Sequence, residues 1–250
     1  IFAGKLSSKM HFIPSFDFGL SLMTFVAFAC FALVGLGYTA YFFTRLAFKK
    51  PVVATDQVSC PPVTIILAAR NESDNLYENI PLLMQQDYPE FEVIVVNHQS
   101  IDDTTYLLSA YQRNYPNLRV IEVAKSPHLR PGKKLPLTLG VKGARYEHLV
   151  FTDADCKPAS MDWLKGIVTG FSDAQQVVLG YGPISRDKGF LNRMVRFDTA
   201  WIGMSYMSFA LAGKAYMGVG RNMAYTKSIF NEVNGFKSHY AISSGDDDLF

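Results

Sequence analysis

An α/β domain built on a mixed, mainly parallel sheet flanked by helices, and preceded by one N-terminal transmembrane helix, is the architecture this sequence predicts. Three observations predict it. An uncharged apolar run occupies residues 18–44. From residue 63 to 151, short β-rich apolar runs alternate with segments whose apolar residues recur at helical spacing. Three of the apolar runs end in polar loops, as strands do at the ligand-binding edge of a parallel sheet.

The run 18–44 exceeds the roughly 20 residues needed to cross a bilayer core. Tyr38, Tyr41, Phe42 and Phe43 crowd its C-terminal end, as in an aromatic belt, and Arg45, Lys49 and Lys50 come directly after them. Lys5 and Lys9 lie farther away on the other side, so the basic bias places the domain C-terminal to the run on the cytoplasmic face of a cell membrane. A cleaved signal peptide fits less well, because its apolar core is shorter and no small-x-small site ends this run. Residues 1–17 are then a flank and 45–62, with three prolines, a linker. The catalytic-type domain is expected over 63–250, and the chain, beginning at Ile1 and stopping at Phe250 inside an acidic motif, reads as a fragment.

Within the domain, Val-Thr-Ile-Ile-Leu-Ala at 63–68 is a buried first strand, followed by the polar loop Ala69-Arg70-Asn71-Glu72. Leu76, Ile80, Leu83 and Met84 mark a helix that Pro81 is expected to kink. Strand two covers 92–96 and runs into Asn97-His98-Gln99-Ser100, where Asp102 or Asp103 can cap the next helix. A third strand at 118–123 is followed by a Pro-Gly-Lys-Lys loop ending at Lys134 and another helix. The fourth strand, Leu149-Val150-Phe151, leads straight into Asp153 and Asp155. In extended backbone, spacing two points both carboxylates the same way. Such a pair at a strand's C-terminal end suits Mg²⁺ or Mn²⁺ while leaving positions for phosphate oxygens; a plain polar turn is the alternative for an isolated Asp-x-Asp. The long apolar stretch 197–219 reads by default as a core helix, with a position against the bilayer as the alternative.

Composition excludes several classes. A net charge of +2 gives no basic surface for nucleic acid. Cys30, Cys60 and Cys156 are too dispersed for a disulfide framework or a zinc site. The loop after strand one contains no glycine, which excludes a dinucleotide fingerprint.

Several motifs, in order, resemble the inverting family 2 glycosyltransferases of the GT-A fold. They are the Arg-Asn-Glu loop, Gln86-Asp87-Tyr88-Pro89, Gly132-Lys133, and Phe151-Thr152-Asp153-Ala154-Asp155. Gly220-Arg221-Asn222-Met223-Ala224, the stretch 230–236 and Gly245-Asp246-Asp247-Asp248 complete the series. The resemblance implies a nucleotide-sugar donor, UDP being the first expectation, and a glycan or lipid-linked acceptor. It implies a donor site from Ala69, Arg70, Asn71, Glu72, Asn97, His98, Ser100, Lys133, Asp153, Arg221 and Asn222. It further implies a Mn²⁺ or Mg²⁺ ion on Asp153 and Asp155, and Asp247, with Asp246 as the neighbouring alternative, as general base. His98 departs from the acid usual at its position; a neutral imidazole still accepts one hydrogen bond from a base imide. A nucleotidyltransferase and a membrane-tethered pseudoenzyme stay open as alternatives.

Overall fold

The computed structural model describes residues 18–50, 60–124, 132–240, 242, 245 and 247 of the 250-residue chain. The N-terminal flank and half of the linker, residues 51–59, lie outside the described residues, as do Asp246 and Asp248.

Four parallel strands form from the apolar runs: β1 (Val63–Ala69), β2 (Phe91–His98), β3 (Leu118–Val123) and β4 (His148–Phe151). Two short antiparallel strands, β5 (Val177–Leu179) and β6 (Met223–Thr226), complete a six-stranded sheet of order β3-β2-β1-β4-β6-β5. β1 and β2 are apolar on both faces because helices cover both, the reason such strands lack polar alternation. On one face α2 (Ser73–Met84), α3 (Thr104–Asn114) and α5 (Trp163–Val168) bury Leu76, Ile80, Leu83, Leu108 and Leu164 against Ile65, Leu67, Val93 and Val95. On the other, α4 (Lys134–Gly143) and α7 (Lys227–Glu232) bury Val141 and Phe230 with Ile66, Ile94, Val96 and Tyr225. Each of these large side chains, once buried, contributes about 1.5–3 kcal/mol to collapse.

Local chemistry sets the helix ends. Asp102, not Asp103, does the capping, and it serves two helices: Oδ1 accepts the Thr104 N–H (3.1 Å) and Oδ2 the Ser73 N–H (3.1 Å). Pro81 sits inside α2 without ending it. The carbonyl that its missing N–H leaves unpaired, that of Tyr77, accepts the Tyr111 hydroxyl at 2.9 Å. At the opposite edge from the loops, buried Glu92 accepts from Thr64 Oγ1 (2.9 Å), the Arg145 N–H (2.7 Å) and Arg119 Nη1 (3.1 Å), tying β1, β2 and β3 together.

Two helices stand apart from the sheet. α1 (Phe18–Ala47) is long and apolar enough to cross a membrane, three residues longer than the uncharged run because Arg45 still falls in its last turn. α6 (Phe190–Leu211) packs against it. The expectation of a core helix over 197–219 is corrected here. The helix starts earlier and stops at Leu211, residues 212–219 are not helical, and Phe190, Leu191, Phe197 and Trp201 are exposed. Its aromatic residues divide: Trp201 and Phe209 meet α1, buried Tyr206 donates to the Gly180 carbonyl just past β5 (2.7 Å), and Phe190 and Phe197 are exposed.

Candidate active site

The polar loops predicted at the sheet edge meet there. β1 ends at Ala69, whose register partner is Asn97, and β4 ends at Phe151, whose partner is Met223 of β6. Asp153 and Asn222 therefore leave the same edge of two neighbouring strands. This antiparallel pairing brings the 220–222 stretch, far away in sequence, into the site.

The first two loops are knitted together. Asn71 takes up a left-handed conformation (φ 57°), which asparagine tolerates, and is held there from both sides. Its N–H donates to Ser100 Oγ (2.9 Å), and its Oδ1 accepts the Ile101 N–H (2.8 Å). Ser100 in turn donates to Asn97 Oδ1 (2.6 Å), and buried Asn97 donates to Thr105 Oγ1 (2.9 Å) and to Glu122. The Glu72 N–H donates to Thr104 Oγ1 (3.0 Å), and its carboxylate accepts from Asn75 (2.7 Å). Asn71, Asn97 and Ser100 thus shape the loops with side chains already committed, whereas Arg70 is exposed at their rim.

His98 is buried beneath this rim, and its Nε2 has no hydrogen-bond partner among the described residues. Desolvation, reinforced by the Arg70 charge, holds its pKa below the ordinary imidazole value. The ring is therefore neutral at pH 7, the form able to accept a hydrogen bond.

At the acidic loop, Lys133 Nζ donates to Asp153 Oδ1 at 2.6 Å. Ligating atoms of Asp153, Asp155 and Cys156 converge within 4.8 Å of one another. Burial pushes the Cys156 thiol up to about 11, helped by the adjacent Asp155 and Asp153, so it stays protonated and donates weakly to Asp155. Two hard carboxylate donors with an inert thiol fit Mg²⁺ or Mn²⁺ and not a soft metal. The loop is anchored from below by Asn79 of α2, whose Nδ2 donates to the Ala154 carbonyl at 2.8 Å.

Across β4, Asn222 accepts from Trp163 Nε1 (3.0 Å) and donates to the Tyr181 carbonyl (3.0 Å), so it braces the wall. The Arg221 side chain lies against Gly182, where a Cβ would come within 2.8 Å of it, and its buried Nε has no partner among the described residues. Asp247 is drawn to this wall: its Oδ2 accepts the Gly220 N–H at 2.9 Å. Gly218 leaves room for the same approach: a Cβ there would crowd Met223 Sδ, Leu179 and the Asp247 carbonyl at 2.9–3.3 Å. Asp246 falls outside the described residues.

Three structural contributors went unread in the sequence. Asn79 is a polar residue in phase with Leu76, Ile80 and Leu83, and that phase was its one available signal. Trp163 carried no motif. Lys134, only 5% exposed, donates to the His239 (2.8 Å) and Ile242 (3.0 Å) carbonyls and so holds the segment leading to Asp247.

Comparison with known proteins agrees with this fold. Over 125 residues the chain is 26% identical to a poly-beta-1,6-N-acetyl-D-glucosamine synthase of Staphylococcus epidermidis, covering 48% of this chain and 28% of that protein. It is 25% identical over 185 residues to the probable glycosyltransferase YdaM of Bacillus subtilis (strain 168), covering 70% of this chain and 43% of that one. The chain thus spans less than half the length of these curated relatives. In fold it resembles the mannosyltransferase PcManGT of Pyrobaculum calidifontis, solved with GDP-Man and Mn²⁺ (TM-score 0.62, 24% identity, 87% of this chain and 59% of that one). It also resembles S. aureus TarS with UDP-GlcNAc (TM-score 0.50, 21% identity, 69% and 47% covered). The Glycosyl transferase family 2 model matches residues 64–233, well over half of the sequence. The chain belongs to glycosyl transferase family 2.

Proposed function

We propose that this chain is a membrane-anchored inverting glycosyltransferase, moving a sugar from a nucleotide-diphosphate donor to a glycan or lipid-linked acceptor. One observation carries the reading: Asp153, Asp155 and Lys133 cluster at the edge of β4, while Asp247 is held by Gly220 beside the adjoining strand β6. A site for a diphosphate and a separate carboxylate is what single displacement at an anomeric carbon requires.

In this reading the donor base enters over the loops 70–72 and 97–100 and meets neutral His98, with Arg70 at the rim. Asp153 and Asp155 would hold Mn²⁺ or Mg²⁺, which supplies Lewis-acid charge for the departing diphosphate. Lys133 adds a second positive charge at the same oxygens. Asp247, positioned through Oδ2 by the Gly220 N–H, takes the acceptor hydroxyl proton on its other oxygen as the hydroxyl attacks the anomeric carbon. The diphosphate leaves from the opposite face, so configuration inverts. Arg221, its Nε unpartnered among the described residues, lies on the same wall for donor or acceptor oxygens. The fold neighbours carry both guanosine and uridine donors, so fold does not select the base; UDP remains our choice, and a neutral His98 can accept a hydrogen bond from the uracil imide N–H. α1 is the anchor, in the cell membrane, with the domain on the cytoplasmic side where nucleotide sugars are made. The product would be part of a surface polysaccharide or glycolipid.

Asp247→Asn is the test. It should lower donor turnover by about 10²–10⁴-fold with nucleotide binding intact. Undiminished turnover contradicts the assignment, and nucleotide binding with no turnover in the unsubstituted chain indicates a pseudoenzyme.

A further inference from the structure

Where α1 meets α6, the two helices do not close. Phe42 stacks on Phe209 (ring centroids 4.0 Å apart) and Phe43 on Trp201 (5.6 Å), while Phe209 meets Tyr216 edge-on (5.2 Å). Between these rings the facing positions are small, Thr39 on α1 and Ser205 on α6. The result is an open cavity of about 480 Å³ walled by Tyr38, Phe43, Trp201, Phe209 and Tyr216. That volume is typical of a small-molecule site. The Ser205 hydroxyl already donates to the Trp201 carbonyl (2.8 Å), so it adds little polarity.

The lining carries no charged or amide side chain. A sugar chain can stack on aromatic faces, but beyond the hydroxyls of Tyr38, Thr39, Ser205 and Tyr216 this lining offers none of the carboxylate, amide or guanidinium groups that fix several sugar hydroxyls at once. A hydrocarbon chain needs none. The cavity also lies at the C-terminal, aromatic end of the helix apolar enough to span a bilayer. The exposed face of α6, with Phe190, Met194, Phe197 and half-exposed Trp201 at helical spacing, continues from it.

The cavity is tethered to the catalytic wall. Tyr216 is four residues before Gly220, and a fully extended chain advances at most about 3.3–3.6 Å per residue. The Cα of Tyr216 is thus within about 14 Å of the glycine whose N–H holds Asp247. We propose that the α1–α6 cavity seats the alkyl chain of a lipid-linked acceptor and thereby presents its head group to Asp247. The assignment of the head group rests on the glycosyltransferase reading; the binding of the chain does not.

The test uses the whole chain in nanodiscs of unbrominated lipid. The sequence contains two tryptophans, so a Trp163→Phe background leaves Trp201 as the reporter. Brominated dodecyl glucoside should quench Trp201 emission saturably, and unbrominated dodecyl glucoside should reverse it. Ser205→Phe, which fills the cavity, should weaken this binding about tenfold or more, a change of about 1.4 kcal/mol. Thr39→Leu, filling it from the other wall, should do the same if Ser205→Phe misfolds. Quenching that is absent, unsaturable, or unaltered in both variants overturns the proposal, as does displacement by a water-soluble oligosaccharide. Titration of UDP and GDP with Mn²⁺ on nanodiscs of the unsubstituted chain, in which Trp163 still braces Asn222, judges the donor reading separately. Alkyl binding without nucleotide binding leaves the cavity standing and removes the glycosyltransferase; the reverse removes only the cavity.

Discussion

Lys133 Nζ lies 2.6 Å from Asp153 Oδ1, so the lysine that precedes α4 closes directly onto the acid just past β4. The two side chains are half and one-third exposed, so solvent screens the pair and its contribution to stability is small, of order 1 kcal/mol or less. Its consequence for the proposed metal site is electrostatic competition: the ammonium takes one oxygen of a carboxylate that would hold the divalent ion, and a diphosphate would satisfy both cations at once.

Lys133→Met should therefore act in opposite directions on two ligands. Mn²⁺ alone should bind more tightly, because a competing cation has gone. UDP in the presence of Mn²⁺ should bind about tenfold more weakly, because a charge-assisted contact has gone. Isothermal titration of each ligand checks this, and weakening of both would show that Lys133 merely shapes the loop.

Lys134 makes a different prediction from the neighbouring position. Its buried ammonium grips the His239 and Ile242 carbonyls, and among the described residues no carboxylate pairs with it. Lys134→Met removes hydrogen bonds from a charged donor, each worth about 1.5–3 kcal/mol, and frees the segment that leads to Asp247. Turnover should fall roughly 10- to 100-fold while the dissociation constant for the nucleotide stays within about twofold. An equal loss in both would place Lys134 in the donor site instead.

Acid should destabilise the fold through two histidines. Desolvation lowers the pKa of His98, with Arg70 adding to it; desolvation also lowers that of His148, opposed by Glu147. Above the ordinary value of 6.5 both rings are neutral whether the chain is folded or unfolded, and stability is at its full value. As pH falls through 6.5 and below, the unfolded chain takes up protons that the folded chain refuses, and stability drops. Urea midpoints measured from pH 7.5 down to about pH 5 should decline, and His98→Gln should flatten the decline. A midpoint that rises on acidification contradicts burial of neutral rings.

The parallel half of the fold was legible because β1, β2, β3 and β4 are apolar runs with polar loops behind them. The antiparallel half was not. β5 has three residues and β6 four, and their pairing depends on partners more than forty positions away, such as Val177 with Tyr225. At the site, Asp153 and Asp155 converge, though through a turn at 154–155 and not the extended backbone on which the spacing argument rested, and Lys133, which only the resemblance offered, donates to Asp153. Asn97 and Asn222 show the limit of that reading: each belongs to a motif, yet each amide is consumed by protein partners that only the tertiary structure reveals. Asn79, 75 residues from Ala154 in sequence, is the same lesson in reverse. For α6, a Trp-, Phe- and Met-rich helix has the same composition whether it lines a core or meets another apolar helix, and burial alone decides between them.

A metal-dependent nucleotide site at the edge of β4 is tested most directly by calorimetry. UDP, GDP and CDP are titrated into the detergent-solubilised chain, with and without Mn²⁺, and into Asp155→Ala. UDP should bind when Mn²⁺ is present, binding without the ion should be at least about tenfold weaker, and Asp155→Ala should remove the difference. Binding of no nucleotide, or binding indifferent to both Mn²⁺ and Asp155, would mean that Asp153 and Asp155 form only a polar turn.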